Sequence, residues 1–358
     1  MPQYTQEVFD KEMEYAIEAG LSYFAYLWYD GSMGAARKLH STSKYKNDVK
    51  LAICLDGNGI GKGTARDEIK ELLKQDHYMT VLNGRPLMYY YVNTNDKKGN
   101  MALVESEIKY YRAYCESQNI PAPYTVIMNV NGMEISSIYG DAVSRYSFSG
   151  TSDMTFNDFI SKVHESWAGY QKTAAQYVPS LTFGWHAEPR FKTPVTWMTT
   201  TENSWVPYPT DEEIYNHIAY ALSYMDHPGA KDFTKVNTLI LYAWNEHDEG
   251  SWLCPTLAVD EKGNQLYNDD GTPKINDSRI KIVRQAIDDF KNGKRVEIIL
   301  NGVSNMGAEA TPQGGITNNN NGGNIWLFVG IGAAVILVGA VAVVIIIKKK
   351  KGDKNEEN

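Results

Sequence analysis

The run Thr238-Leu-Ile-Leu-Tyr-Ala-Trp-Asn-Glu-His-Asp-Glu-Gly250 ends in two glutamates, Glu246 and Glu249, three positions apart. The apolar, β-branched and aromatic stretch Thr238 to Trp244 reads as a buried strand. Carboxylates just past such a strand stand at the sheet rim, where α/β enzymes keep their chemistry. Cleavage of a glycosidic bond needs one protonated and one ionised carboxyl beside the bridging oxygen. Crowding Glu246, Asp248 and Glu249 together disfavours simultaneous ionisation and raises at least one pKa, as a general acid requires. Glu246 and Glu249 are therefore the candidate catalytic pair, and Trp244 and Asn245 are candidates for contact with a substrate. The competing reading makes both glutamates rim residues salt-bridged to an arginine or lysine. Three consecutive residues rarely converge on one ion and no His-x-x-x-His pair accompanies them, so neither metal nor cofactor is expected.

Other strand ends supply further candidates. Trp185 and His186 close one strand, with Arg190 soon after. The tryptophan would stack on a sugar, and the arginine would hold a hydroxyl or an acidic substituent. Asp56, Tyr91 and Asn129 end three more strands, and Trp28 and Tyr29 a fourth. Each of these alone has an equally plain structural role in a large core.

Helices and apolar strands alternate along the chain. Helices are expected over Gln6–Ala19, stopped by Gly20, and over 103–117, 156–176, 211–225 and Ser278–Lys291. A capping box, Thr210 with Glu213, opens the fourth. Strands are expected over 21–29, 49–55, 86–92, 124–130, 142–148, 180–184 and 238–244. Repeated β-then-α units imply a parallel sheet with outer helices. Seven strands following an initial helix fit an α/β (β/α)8 TIM-type barrel lacking its first strand, with an open doubly wound sheet as the alternative. The segment Gly57-Asn-Gly-Ile-Gly-Lys-Gly63 has the spacing of neither nucleotide fingerprint and reads as a loop near the site.

Composition narrows the function classes. A net charge of -8 with no basic stripe before the C-terminus argues against nucleic acid as a partner. The 24 tyrosines and 8 tryptophans suit a sugar-binding cleft as well as a large core. Cys54, Cys115 and Cys254 make no disulfide framework and read as separate thiols. No obligate protein partner is evident.

Ile325 to Ile347 is an uncharged run of 23 apolar or small residues, followed by Lys348 to Lys351. As a helix it would cross a hydrocarbon layer of roughly 30 Å, with Trp326 at one interface and the lysines in the cytoplasm. The expected organisation is a barrel over 1–300, an Asn/Gly-rich stalk over 301–324, a transmembrane helix over 325–347 and a charged cytoplasmic tail over 348–358. The N-terminal domain would then lie outside the cell, single-pass at the cell membrane. No signal peptide precedes it, which implies a start further upstream. A cytosolic tail-anchored arrangement is the rival, and it opposes the positive-inside tendency.

Residues 243–250 with Leu253-Cys254-Pro255 resemble the glycoside hydrolase family 99-like group, which includes the WbsX-type proteins of surface-polysaccharide loci. Ala19-Gly-Leu-Ser-Tyr-Phe24 with Trp28-Tyr29, Asn83-Gly-Arg-Pro-Leu87 and Gly184-Trp-His-Ala-Glu-Pro-Arg190 agree in order and spacing. The resemblance covers roughly residues 5 to 295. It implies a (β/α)8 barrel whose first strand would precede Met1. It implies that Glu246 assists a sugar 2-hydroxyl acting as internal nucleophile, while Glu249 is the acid/base for the leaving oxygen. The intervening His247-Asp248 departs from the group's usual pair. The expected function is a membrane-anchored glycosidase acting on a polysaccharide or glycan. A non-catalytic carbohydrate-binding surface protein on the same barrel is the alternative.

Overall fold

The computed structural model describes residues 4–29, 33–56, 60–61, 63–93, 96–173, 175–196, 198–300, 303–304 and 326–331. Its principal sheet has eight parallel strands: β1 Tyr23–Trp28, β2 Lys50–Asp56, β3 Arg85–Tyr91, β4 Tyr124–Met128, β5 Ala142–Ser144, β6 Ser180–Thr182, β7 Thr238–Tyr242 and β8 Trp326–Ile331. Strands adjacent in this order pair side by side except β5 and β6, and β8 lies between β7 and β1. A parallel bridge between Val143 and Tyr177 joins β5 to the segment entering β6. There the Val143 N–H donates to the Gln176 carbonyl and the Val178 N–H to the Val143 carbonyl, both at 2.9 Å. The ring is thereby closed, a parallel α/β barrel rather than an open sheet.

Eight helices accompany the strands among the described residues: α1 Gln6–Ala19, α2 Gly34–Thr42, α3 Gly63–Leu72, α4 Lys97–Ser117, α5 Phe156–Lys172, α6 Glu188–Lys192, α7 Asp211–Asp226 and α8 Ser278–Lys291. The expected bounds of α1 and α8 coincide with the observed ones. Gly20 ends α1 at φ 80, its N–H donating to the carbonyls of Ala16 and Ile17. Capping boxes open α5 and α7, the second being the anticipated Thr210–Glu213 pair. The strand expected over 142–148 shrinks to three residues, and α2 and α3 were not anticipated. Gly63 opens α3, whereas Gly57, Asn58, Gly59 and Lys62 lie outside the described residues.

Alternation along each strand sorts the core into two layers. In β1, Phe24, Tyr26 and Trp28 join the large cluster shared with Met13 and Ala16 of α1. Tyr23 and Ala25 turn into the barrel beside Cys54, Tyr89, Val126 and Ile240. The Tyr23 hydroxyl hydrogen-bonds those of Tyr89 (2.8 Å) and Thr238 (2.9 Å), so the buried polar groups on β1, β3 and β7 satisfy one another. The three cysteines are free.

The C-terminal region differs from its expected form. Residues 326–331, six of the expected membrane span, are strand β8; 325 and 332–347 lie outside the described residues. So do 305–324 of the expected stalk and the whole tail 348–358, while Val303–Ser304 pairs with Ile299–Leu300. Among the described residues no helix is long and apolar enough to cross a membrane. An uncharged run of Val, Ile, Leu and Gly meets the needs of a lipid-embedded helix and of a stave buried on both faces alike. Between β7 and β1 it pairs backbone groups that would otherwise lie unsatisfied in a core. That slot is also where a strand ahead of β1 would sit. The two roles exclude each other: residues 332–347 alone would make about 24 Å of helix, short of the roughly 30 Å hydrocarbon layer.

Removal of residues 325–358 tests the stave. Ladder hydrogen bonds contribute about 1 kcal/mol each, and 1 kcal/mol moves the Tm of a large domain by about 2–4 °C. The truncated protein should melt at least about 5 °C lower and be cut more readily near β1 and β7. An unchanged Tm would show that the barrel holds without this segment.

Candidate active site

The site forms where β7 stops. Past Tyr242 the chain runs through Asn245–Glu246, turns in one 3-10 turn over His247–Glu249, and returns as Ser251–Trp252 paired antiparallel to Asn245–Glu246. Two glycines permit the local packing. Gly250 has φ +71, and a Cβ there would meet the His186 Cβ at 2.5 Å and its nitrogen at 2.8 Å. Gly184 has φ +143, and a Cβ there would lie 3.0 Å from the Gly250 carbonyl oxygen. The end of β6 therefore presses against the turn, and the His186 N–H donates to the Glu249 carbonyl at 2.6 Å. Ser251 fastens the two from beneath: its Oγ donates to the Tyr242 carbonyl (2.6 Å) and accepts from the Phe183 N–H (3.0 Å).

Arg190, on α6, sits at the centre. Its Nε donates to Asp248 Oδ2 (2.7 Å), its Nη2 to Glu246 Oε2 (3.1 Å) and its Nη1 to Glu249 Oε1. The Tyr242 hydroxyl donates to the other oxygen of Glu249. Arg190, Glu246 and Glu249 are 6%, 4% and 5% exposed, so this is a buried cluster of three carboxyls against one cation. Burial, and then the charge of Glu249, push Glu246 up to about 8 despite Arg190. Burial likewise raises Glu249, opposed by Arg190 and by the Tyr242 hydroxyl. Burial works against the Arg190 charge, but Asp248, Glu249 and Glu246 outweigh it and hold the guanidinium more firmly protonated than usual.

The other expected site residues divide by strand parity. Trp28 and Trp244 face outward, away from the cluster. Trp28 stacks under Arg37, whose Cζ is 3.5 Å from the ring centroid, and Trp244 packs on Phe24 and donates to Glu12 at 3.3 Å. Both are core residues: Trp28 has the outward parity of Phe24 and Tyr26, whereas Trp244 lies two residues past the end of β7, where strand alternation no longer sets the face. Tyr29 and Asp56 do gather near the cluster: Tyr29 is raised first by burial and then by the charges of Glu246 and Asp56. Tyr91 packs edge-on to Tyr146 (5.1 Å), and Tyr146 edge-on to Tyr242 (5.1 Å), forming an aromatic wall that reaches Glu249. Asn129, at φ 65, and Trp185 line a cavity of about 790 Å³ on the β4–β6 side. His186 stacks flat on Tyr208 at 4.8 Å. Buried polar atoms without a hydrogen-bond partner cluster here: Trp185 Nε1, His186 Nδ1, Asn245 Oδ1 and Asp248 Oδ1. Such orphans in a cleft are what a bound polar ligand would satisfy.

His247 turns away toward Cys254, its Nε2 3.3 Å from the sulfur. Among the described residues no three His, Cys, Asp or Glu side chains gather as metal ligands. Tyr242 and Tyr146 were missed from the sequence. For Tyr242 the signal was present, since it shares the inward parity of Thr238 and Ile240. Tyr146 lies beyond the short β5, where no periodicity marks it.

No family model matches the chain, and no curated protein matches it. Among solved structures it is similar to the GH99 endo-α-mannosidase from Bacteroides thetaiotaomicron, with TM-score 0.50 and 14% identity over 80% of this chain and 80% of that one. The same enzyme in complex with bis-tris-propane gives TM-score 0.48 and 13% identity over 81% and 85%. A GH18 chitinase from Cycas revoluta in complex with (GlcNAc)3 covers 62% of this chain and 90% of its own at TM-score 0.34 and 12% identity, too distant to carry an argument. The first of these likenesses establishes the fold.

Two expectations follow. Between roughly pH 4.5 and 8 the folded chain keeps a proton on Glu246 that the unfolded chain has released, so stability falls as pH rises through that window. Glu246→Gln should flatten that decline, which for one group is at most about 1.4 kcal/mol per pH unit. Denaturant midpoints at a series of pH values would show it, and parallel profiles for the two proteins would refute it. Gly250→Ala should cost about 2–4 kcal/mol, because it combines a positive φ with a clash against the His186 backbone. A loss under 1 kcal/mol would mean that the turn does not need this contact.

Proposed function

We propose that the protein hydrolyses a glycosidic bond in a polysaccharide or glycan, using Glu246 and Glu249 as the reacting pair. The observation that carries this reading is the pair itself: two buried carboxyls on one guanidinium at the strand-end rim, at least one of them kept protonated near neutral pH. The fold shared with an enzyme described as an endo-α-mannosidase supports it. So do the unpaired polar atoms and aromatic rings around the pair.

Hydrogen bonding favours a division of labour. Glu249 accepts from both Arg190 and Tyr242, which stabilises its ionised form. Glu246 accepts from Arg190 alone among the described contacts and is the better proton holder. Glu246 would then protonate the leaving oxygen, and Glu249 would assist attack at the anomeric carbon or steady the positive charge developing there. These roles reverse the ones implied by the family resemblance.

A non-catalytic carbohydrate-binding protein is the second reading, and one observation favours it: Arg190 engages all three carboxyls at once, as a structural ion-pair cluster would. Placement outside the cell rests on residues 325–347 and Lys348 to Lys351, and it competes with β8 for Trp326–Ile331.

Reducing-end release from a panel of mannans, glucans and acidic polysaccharides separates the readings. Glu246→Gln and Glu249→Gln should each lower turnover by about 100-fold or more, with Tm changed by only a few degrees. Binding without turnover by the unmodified protein, undiminished in both variants, would select the second reading.

A further inference from the structure

The cavity beside the cluster has its own charge logic. It opens between the loops after β4, β5 and β6, and its volume of about 790 Å³ is within the range of sites that enclose a ligand. Its described lining is rich in hydroxyls and amides, including Asn131, Ser147, Thr151 and Thr173. Among the described residues that lining contains one cation, Arg145, and no carboxylate, in a chain of net charge -8.

Arg145 is exposed at the cavity wall. Its Nε donates to the Ser147 carbonyl at 3.2 Å, and its Cζ lies 5.0 Å from the Phe148 ring centroid. Among the described residues it forms no ion pair, unlike Arg37, Arg66, Arg85, Arg112, Arg190, Arg284 and Arg295. The backbone carbonyl and the ring fix the guanidinium while leaving its two terminal nitrogens for a ligand. Trp185, which lines the same space, is buried and its Nε1 donor has no partner. Met198, another wall residue, touches the Arg190 guanidinium through its sulfur at 3.4 Å, so the cavity adjoins the carboxyl cluster.

Arg190 itself is unsuited to an acidic group. Its Nε and both terminal nitrogens are committed, and an arriving anion would face three carboxyls. The role of anion holder expected of Arg190 therefore passes to Arg145.

We infer that this cavity binds a negatively charged sugar unit, its carboxylate or sulfate ester on Arg145 and its hydroxyls on the surrounding Ser, Thr and Asn side chains. A planar guanidinium matches the paired oxygens of either group. The substrate class is accordingly an acidic glycan. This deepens the proposed glycan hydrolysis by naming the ligand, and it rests on that reading only for turnover, not for binding.

Affinity electrophoresis tests it with full-length protein. The probes are polygalacturonate, alginate and hyaluronan for carboxylates, dextran sulfate and carrageenan for sulfates, and dextran, mannan and carboxyl-reduced polygalacturonate as neutral controls. At least one acidic glycan should retard the protein while the neutral ones do not. Arg145→Gln should weaken that retardation by about tenfold or more at unchanged Tm, and Arg145→Lys by less. Which acidic set is retained distinguishes carboxylate from sulfate. Retardation by neutral glycans alone, by none of the probes, or equally by Arg145→Gln would overturn the inference. Hydrolysis of a neutral glycan unaffected by Arg145→Gln would sink this proposal and leave the hydrolase standing. Arg145-dependent binding without turnover would do the reverse.

Discussion

One buried arginine facing three carboxyls governs this structure. Arg190 cannot neutralise Glu246, Asp248 and Glu249 together, and burial makes the uncompensated charge expensive. Burial and mutual repulsion push both glutamates above the usual carboxylate range, which favours retention of a proton by the pair, and Glu246, with the fewer donors, is the better holder. Without Arg190 the three carboxyls would repel one another apart. A second cation beside them would favour ionisation of all three, and the proposed general acid would be lost. A proton held near neutral pH in a closed rim is thus a consequence of counting charges.

The barrel makes that count possible by geometry. β7 delivers Tyr242 inward, and the turn behind it is pressed to the end of β6 through Gly184 and Gly250. α6 follows β6 closely enough that Arg190 spans both glutamates and Asp248. Tyr91, Tyr146 and Tyr242 wall the site with rings that exclude water and so strengthen every charge inside it. Arg145 lies in the neighbouring cavity, whose described lining has no carboxylate, so the proposed acid/base pair and the proposed anion site are separate places on one rim.

Much of this was legible in the residues. Seven staves were visible because apolar runs of strand length ended in polar or aromatic residues. The Glu246–Glu249 pair, Arg190, the inward Asp56 and Tyr91, and the cavity-lining Asn129 were visible as strand-end groups. What misled was parity. Trp28 and Trp244 are also strand-end aromatics, but Trp28 sits one position from the inward face, Trp244 lies beyond the last residue of β7 where alternation has ended, and both pack against helices. Of the two readings offered for the glutamates, the salt-bridged pair is the one the structure displays, with Arg190 holding both, and the catalytic reading is a proposal built on that arrangement. α2 and α3 escaped because their apolar positions are few and α3 begins inside a glycine-rich stretch. The run ending at Ile347 shows the deeper limit: composition says that a segment must be buried, and lipid and barrel interior satisfy that demand equally.

Carboxyl titration by 13C NMR on protein labelled at the glutamate side-chain carboxyl addresses the central claim most directly. The account predicts one glutamate resonance that titrates near pH 8 and disappears in Glu246→Gln, with Glu249 shifting in the same window through its coupling to Glu246. If Glu246 instead titrates below about pH 5, the cluster holds no proton at neutral pH, and the acid at the heart of the proposed chemistry is absent.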